Sequence, residues 1–161
     1  MSRKIRILAV GRSHDRHIEP LIKEYESRFS SRMRVDWQFV PHEPGHNNAH
    51  NVQVTSESNS IRASLKKAEY VIVLDDTGKQ LTSDTFSEKL HMLATDARDI
   101  CFVIGGAYGV DDALLVQADF VWSLGTLTFP HQLVRAVLIE QLYRAVTIWD
   151  GRSYHHGDER L

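Results

Sequence analysis

The last third of the chain carries side chains that packing alone does not demand. Tyr154, His155 and His156 supply a phenol and two imidazoles, groups able to hold a substrate or take its proton near neutral pH. A tail as polar as Asp150 to Leu161 usually frays, but Trp149 and Tyr154 give this one aromatic anchors. Upstream, Arg144 stands four residues after Glu140, a spacing that permits an ion pair along a helix, although the same arginine could instead face a polyanion. Two glycine-containing runs, Gly105-Gly106-Ala107-Tyr108-Gly109 and Gly125-Thr126-Leu127-Thr128-Phe129-Pro130, each follow an apolar run. Glycines there let backbone amides and carbonyls approach a flat ligand such as adenine, which a Cβ at Gly106 would obstruct, or they serve only sharp turns. The first run lacks the G-x-G-x-x-G order and the later acidic residue of a dinucleotide site, and no G-x-x-x-x-G-K-[ST] occurs, so neither NAD nor a P-loop nucleotide is supported. His42, His46 and His50 are spaced as ligands on one helix face, but Pro44 and Gly45 oppose that helix. Three solvated loop histidines and no metal are the expectation.

Positioning such groups takes an alternation of strands and helices. Lys4 to Val10, Val35 to Val40, Tyr70 to Asp75, Ile100 to Ile104 and Phe120 to Leu124 are apolar, β-branched runs that read as strands. The runs YVIVLD and ICFVI are apolar throughout, the pattern of strands covered on both faces of a parallel sheet. Helices are expected between them. Ile18, Leu21, Ile22, Tyr25 and Phe29 follow helical spacing over about Asp15 to Phe29, with Pro20 best placed in a first turn near Ile18. Further helices are expected over about Glu57 to Lys67, from a Thr82 or Ser83 cap to about Arg98, and across Ala113 to Gln117. PHEPGHNNAHN, residues 41–51, reads as a loop, and DDTGKQ as a turn. The class is α/β with a mainly parallel sheet flanked by helices, in a single domain spanning residues 1–161. Ligands on such sheets bind at the carboxyl ends of strands, here Leu74-Asp75, Ile104-Gly105-Gly106 and Leu124-Gly125-Thr126.

Thr128-Phe129-Pro130 opens the last helix, with the proline in its first turn, and the helix is apolar on two sides, through Leu133, Val134, Val137, Leu138, Leu142 and Val146. A helix covered twice suggests the sheet on one side and a second subunit on the other, hence a homodimer. Arg135, Glu140, Gln141 and Arg144 fall on its polar side. With 42% hydrophobic and 25% charged residues the chain has the composition of a soluble globular protein. No apolar run reaches the roughly 20 residues needed to cross a bilayer. The start, MSRKIRILAVG, lacks the pattern of a signal peptide, so a cytoplasmic location is expected. Cys101, the only cysteine, lies in an apolar run and reads as a buried hydrophobe. Net charge is −2, yet residues 1–34 hold nine Lys/Arg against four Asp/Glu, while residues 35–161 hold ten against seventeen. The basic end is either a solvated surface or a guide for a polyanion.

VLDDTGKQLTSDTF, FVIGGAYGV and WSLGTLTFPHQLVRAVLIEQLYRA followed by SYHH resemble the signature segments of the RlmH family, small SPOUT-class (α/β-knot) methyltransferases of the large ribosomal subunit. ILAVGR and EYESRF match that family's first strand and helix, and the likeness covers most of the chain outside about residues 41–60. Proline-histidine, an arginine four residues later, Glu-Gln-Leu-Tyr-Arg-Ala and a terminal Tyr-His in one order make the last segment specific. The resemblance implies methyl transfer from S-adenosylmethionine to N3 of a pseudouridine in the helix 69 hairpin of 23S rRNA, in the large subunit or the assembled ribosome. It also implies a C-terminal trefoil knot and a homodimer, with no membrane and no metal. By motif match the cofactor pocket would include Leu74, Ile104, Gly105, Gly106, Gly125, Thr126, Leu127, Thr128, Phe129 and Pro130. Tyr154, His155 and Arg144 would act on the substrate in the neighbouring subunit's site. His156 replaces the family's usual basic residue, and the tail runs on beyond it. That leaves open an RNA-binding module with reduced catalysis, or a SPOUT methyltransferase acting on another RNA.

Overall fold

Five apolar runs form strands: β1 (Arg3–Val10), β2 (Met33–Val40), β3 (Glu69–Gln80), β4 (Asp99–Ile104) and β5 (Phe120–Ser123). In the computed structural model, which describes residues 3–29, 31, 33–42 and 50–154, they join in the order β2-β1-β4-β3-β5. Every pairing is parallel. Between them run α1 (Glu19–Arg28), α2 (His50–Ser64), α3 (Ser83–Thr95) and α4 (Asp112–Gln117), with α5 (His131–Trp149) last.

Strand alternation divides the core into two halves. Ile5, Ile7 and Ala9 of β1 and Ile100, Phe102 and Ile104 of β4 pack with Ile22 of α1, Leu90 of α3 and Leu138 and Leu142 of α5. Their neighbours Leu8, Val10, Cys101 and Val103 pack on the other face with Ile61 of α2 and Leu114 of α4. The expected double cover of the central strands is therefore present. Burial pushes the Cys101 thiol up to about 12, so it stays protonated and acts as a hydrophobe.

Most element boundaries follow local chemistry. Pro20 sits in the first turn of α1, where its missing N–H is not needed. The Thr82 hydroxyl accepts from the Thr85 amide to start α3, and the Asp111 carboxylate accepts from the Leu114 amide to start α4. Three segments depart from the expectations. DDTGKQ is the far half of β3 rather than a turn: after a bulge, Lys79 and Gln80 pair with Trp122 and Ser123. Gly78 permits this, since a Cβ there would lie 2.7 Å from the Val121 carbonyl group. Helix α2 begins at His50, earlier than Glu57, so His50 and Asn51 are helical rather than loop. Helix α3 stops at Thr95, because Asp96 is extended. His46 and the rest of 43–49 lie outside the described residues.

A buried ion pair ties the sheet to α2. The Arg6 Nε donates to Glu69 Oε1 at 2.7 Å, Nη1 to Gln38 Oε1 at 2.6 Å and Nη2 to the Ser64 carbonyl at 2.9 Å. Burial pushes the Glu69 carboxyl up, but hydrogen bonds from Arg6 and from the Lys66 amide outweigh it and hold it below its ordinary value. Its contribution to stability is thus present above the unfolded pKa of about 4.3 and is lost as pH falls through the folded value. Glu69→Ala leaves Arg6 buried without its partner and is expected to lower unfolding free energy by about 3–5 kcal/mol at neutral pH. Urea melts at neutral and acidic pH check this, with the gap between wild type and variant narrowing in acid.

Candidate functional site

Because all strands are parallel, their carboxyl ends share one edge of the sheet, and there the segments after β3, β4 and β5 enclose a cleft of about 340 Å³. Leu74, Asp75 and Asp76 line it from β3, Ile104 to Gly109 from the end of β4, and Trp122 and Leu124 from β5 and its end. Gly125, Leu127, Thr128, Phe129, His131 and Val134 complete the wall. Eight of the ten expected pocket residues line it: Leu74, Ile104, Gly105, Gly106, Gly125, Leu127, Thr128 and Phe129. Thr126 and Pro130 belong to the same loop, exposed and outside the lining, with Pro130 capping α5.

Close backbone packing shapes the walls. The Gly109 amide donates to the Gly106 carbonyl at 3.1 Å, and Gly109 has φ +77°, so the loop folds back over the end of β4. A Cβ on Gly105 would lie 2.9 Å from the Gly109 carbonyl carbon and oxygen. At Gly106 a Cβ would meet Glu57 Oε2 at 2.5 Å and Val10 Cγ1 at 3.3 Å. Its missing side chain leaves room for Glu57 of α2, while Gly106 itself lines the cleft. The Ser123 hydroxyl donates to the Gly125 carbonyl at 2.8 Å and accepts from the Gly125 amide at 3.2 Å, fixing the opposite loop. Trp122 stacks on Phe86 with ring centroids 4.1 Å apart. Its buried Nε1 has no hydrogen-bond partner among the described residues.

Arg135 is the largest correction. Expected on the polar side of α5, it is fully buried. Its Nη2 donates to the Val10 carbonyl at 2.6 Å and its Nη1 to the Ser13 carbonyl at 2.7 Å, with the guanidinium over the Phe39 ring at 5.3 Å. The Asp15 amide donates to Gln132 Oε1 at 2.9 Å. Arg135 and Gln132 thus latch the loop between β1 and α1 to the start of α5. Burial lowers the Arg135 pKa to about 10, leaving it charged at neutral pH. Burial and then the Arg135 charge press His14 down to about 4, so His14 is neutral there.

His131 opens α5 from within the cleft wall, half-buried. Burial, then the charges of Arg135 and His42, hold it below its ordinary value, with Glu57 acting the other way. Glu57 is itself buried and pairs with His42 Nδ1 at 2.9 Å. Neither His131 nor Glu57 was given a role from the sequence, although His131 belongs to the proline-histidine pair of the specific last segment. For His131 the signal was its position immediately after Pro130, in a helix-starting turn that follows a strand end. His50, the third of the spaced histidines, packs against Tyr108 instead, at 4.0 Å between ring centroids. Among the described residues no group of His, Cys, Asp and Glu could hold a metal.

Arg144 and Tyr154 lie elsewhere. The Tyr154 hydroxyl donates to Glu140 Oε1 at 3.2 Å and stands 3.5 Å from the Tyr25 hydroxyl, while Arg144 Nε donates to the same Glu140 oxygen at 2.9 Å and its guanidinium covers the Tyr154 ring at 4.8 Å. The anticipated Glu140–Arg144 pair therefore forms. Burial first, then the hydrogen bond with Tyr25 and the Glu140 charge, hold the Tyr154 phenol well above its ordinary value. It is a donor at neutral pH, not a base. Neither residue lines the cleft of its own chain. His155 lies outside the described residues.

A family model described as "Predicted SPOUT methyltransferase" matches residues 3–155. The chain is 40% identical over 156 residues to Ribosomal RNA large subunit methyltransferase H of Leuconostoc citreum (strain KM20), covering 94% of this chain and 98% of that protein. It is 34% identical over 154 residues to the protein of the same name from Christiangramia forsetii, again covering 94% and 98%. In fold it resembles a probable methylase family protein from Haemophilus influenzae Rd KW20, with a TM-score of 0.57 and 12% identity, covering 98% of this chain and 72% of that one. It also resembles a ribosomal RNA small subunit methyltransferase E from Neisseria gonorrhoeae bound to S-adenosyl methionine, with a TM-score of 0.50 and 12% identity, covering 87% and 65%.

Replacing Arg135 by Leu removes charge-assisted hydrogen bonds to two backbone carbonyls, and a loss of about 3 kcal/mol in stability is expected. The same change removes one of the causes that depress His14, whose pKa should rise from about 4. Urea denaturation and an NMR titration of the His14 ring measure the two effects.

Proposed function

The chain belongs to the SPOUT methyltransferase family, and on that premise we propose that it transfers a methyl group from S-adenosylmethionine to N3 of a pseudouridine in the helix 69 hairpin of 23S rRNA. The observation that carries this reading is the cleft at the carboxyl ends of β3, β4 and β5, built on the segments through which the chain resembles its relatives. Its volume of about 340 Å³ lies within the usual range for small-molecule sites.

The lining suits the cofactor. Leu74, Ile104 and Leu124 offer apolar surface to a flat purine, and the backbone around Gly105, Gly106 and Gly125 supplies polar groups at its edges. Asp75 and Asp76 suit a cationic ligand, and the unpartnered Trp122 Nε1 offers a buried donor. Thr126 and Pro130 hold the shape of the loop that carries Leu127, Thr128 and Phe129. When bound, the cofactor supplies a methyl group activated by a sulfonium. The protein must then present an unprotonated nitrogen in line with it, and such positioning alone can be worth about 7–11 kcal/mol.

The remaining groups are assigned to the RNA. The chain works as a homodimer in which Arg144, Tyr154 and His155 reach the neighbouring subunit's cleft, with the segment through α5 threaded as a trefoil knot. Two observations support pairing: Leu127 is 71% exposed at the cleft mouth, and Leu133, two residues into α5, is 41% exposed. In this arrangement Tyr154 donates a hydrogen bond and Arg144 balances negative charge on base or phosphate. Arg12 and Arg16, exposed on the loop that Arg135 latches beside the cleft, guide the RNA. A hairpin nucleotide is easier to swing out than a paired one. Among the described residues no helix is long and apolar enough to cross a membrane, in keeping with a cytoplasmic enzyme acting on the large subunit or the assembled ribosome.

The test is methylation of large subunits and whole ribosomes from cells lacking the modification, mapped to the nucleotide. Transfer to N3 of the helix 69 pseudouridine is expected; transfer to another RNA, or cofactor binding without transfer, would replace this reading with one of its rivals. Heterodimers pairing a tail-deleted chain with a cleft-blocked Thr128→Trp chain contain one complete site of two and should recover activity that neither variant homodimer has. Inactivity of every mixture would show that the tail does not act in trans. Doubly reversed Arg12→Glu/Arg16→Glu protein should bind the RNA with a salt slope lowered by about 1–2.

A further inference from the structure

Methylation at N3 of a uracil-type ring requires loss of the N3 proton; of the described groups assigned to the RNA, Tyr154 is held protonated and Arg144 is a cation engaged with Glu140. One imidazole lies in the cleft wall itself. We propose that His131 touches the target base and is the acceptor of its N3 proton, a catalytic role additional to those of the tail. This rests on the methyl-transfer reading above.

Three features of the site fit His131 to the task. It lies at the amino end of a 19-residue helix, whose dipole disfavours a cation. It lines the cleft together with Thr128 and Phe129 on one side and Gly106 on the other, within the space where donor and base must meet. Its electrostatic neighbours are Arg135 from α5, His42 from the segment after β2 and Glu57 from α2, and Asp75 and Asp76 of β3 line the same cleft. Burial, Arg135 and His42 keep the ring neutral before reaction, so that a nitrogen lone pair is free; Glu57, 1% exposed and directly behind Gly106, favours the imidazolium once formed. A buried carboxylate and a buried guanidinium thus act on the ring in opposite directions.

The step balances without a further reagent. The N3–H bond breaks and its proton passes to the free nitrogen of His131. N3 then uses the electron pair left behind to form the N–CH3 bond, as the carbon–sulfur bond opens and its electron pair remains on sulfur, which becomes a neutral thioether. The proton on His131 is released to solvent before the next turnover.

The conservative variant His131→Asn keeps a polar side chain of similar reach, and His131→Ala leaves room for added imidazole. Both are compared with wild type in calorimetric titrations with S-adenosylmethionine and in single-turnover transfer to undermodified large subunits as a function of pH. Cofactor affinity should change by no more than about threefold, while the transfer rate at neutral pH falls by about 10²–10⁴-fold. In wild type the acid limb of the rate profile should lie below pH 6.5, the ordinary histidine value, because the free base is the active form. In the variants that limb should disappear, the rate should climb with pH as bulk deprotonation of N3 takes over, and imidazole should restore activity to His131→Ala in proportion to its free-base concentration. An NMR ring resonance assigned by its loss in His131→Asn should titrate below 6.5 in the wild-type protein. A full rate in His131→Asn, a loss explained by weakened cofactor binding without imidazole rescue, or a ring that is protonated at neutral pH would each overturn the proposal. If wild type binds the cofactor but methylates no RNA, the methyl-transfer reading fails, and this role of His131 fails with it.

Discussion

All five strands run in the same direction, and this constraint shapes everything else in the molecule. A parallel strand cannot be reached by a tight hairpin, so each connection must cross a face of the sheet, and both faces become covered. The same constraint delivers every carboxyl end to one edge. Residues far apart in sequence, Leu74, Ile104 and Leu124, are brought together there by register rather than by their own interactions. The cleft is therefore a consequence of the sheet, and its loops are free to carry chemistry.

Rigidity at that edge comes from contacts between backbones. Gly109 returns to Gly106, Gly78 passes against Val121, and Ser123 clasps Gly125 at both its amide and its carbonyl. Buried charge then sets the electrostatics. Arg135 is satisfied chiefly by the carbonyls of Val10 and Ser13, so its positive charge is held beside the loop after β1 and presses on His14 and His131. Glu57, from the other face, fills the space that Gly106 leaves open. Burial first, and then the Arg135 charge, hold both imidazoles below their ordinary values.

Much of this was legible in the residues. The continuous apolar runs at Tyr70 and Ile100 announced strands buried on both faces, Pro20 and Thr82 marked helix starts, and the strand-end rule picked out the three segments that meet at the cleft. What escaped did so for physical reasons. DDTGKQ has the composition of a turn, yet pairing with Trp122 and Ser123 holds its far half in the sheet, a tertiary gain that overrides local preference. Arg135 looked solvent-facing because a charged side chain carries no sign of which carbonyls await it. Glu57 and His131 looked ordinary because their significance lies in mutual placement across α2 and α5. Most of the residues that the resemblance marks for the pocket line the cleft, and Gly106 among them also leaves room for Glu57.

The central claim is that the cleft beside Gly105 and Gly125 is where the methyl donor binds. Backbone amide chemical shifts followed during a titration with S-adenosylmethionine test it most directly. The largest changes should fall within Gly105 to Gly109 and Gly125 to Phe129, with the indole Nε1–H of Trp122 shifting alongside them. Saturable binding whose shifts centre instead on α1 and the outer turns of α5, or no binding at millimolar cofactor, would contradict the account.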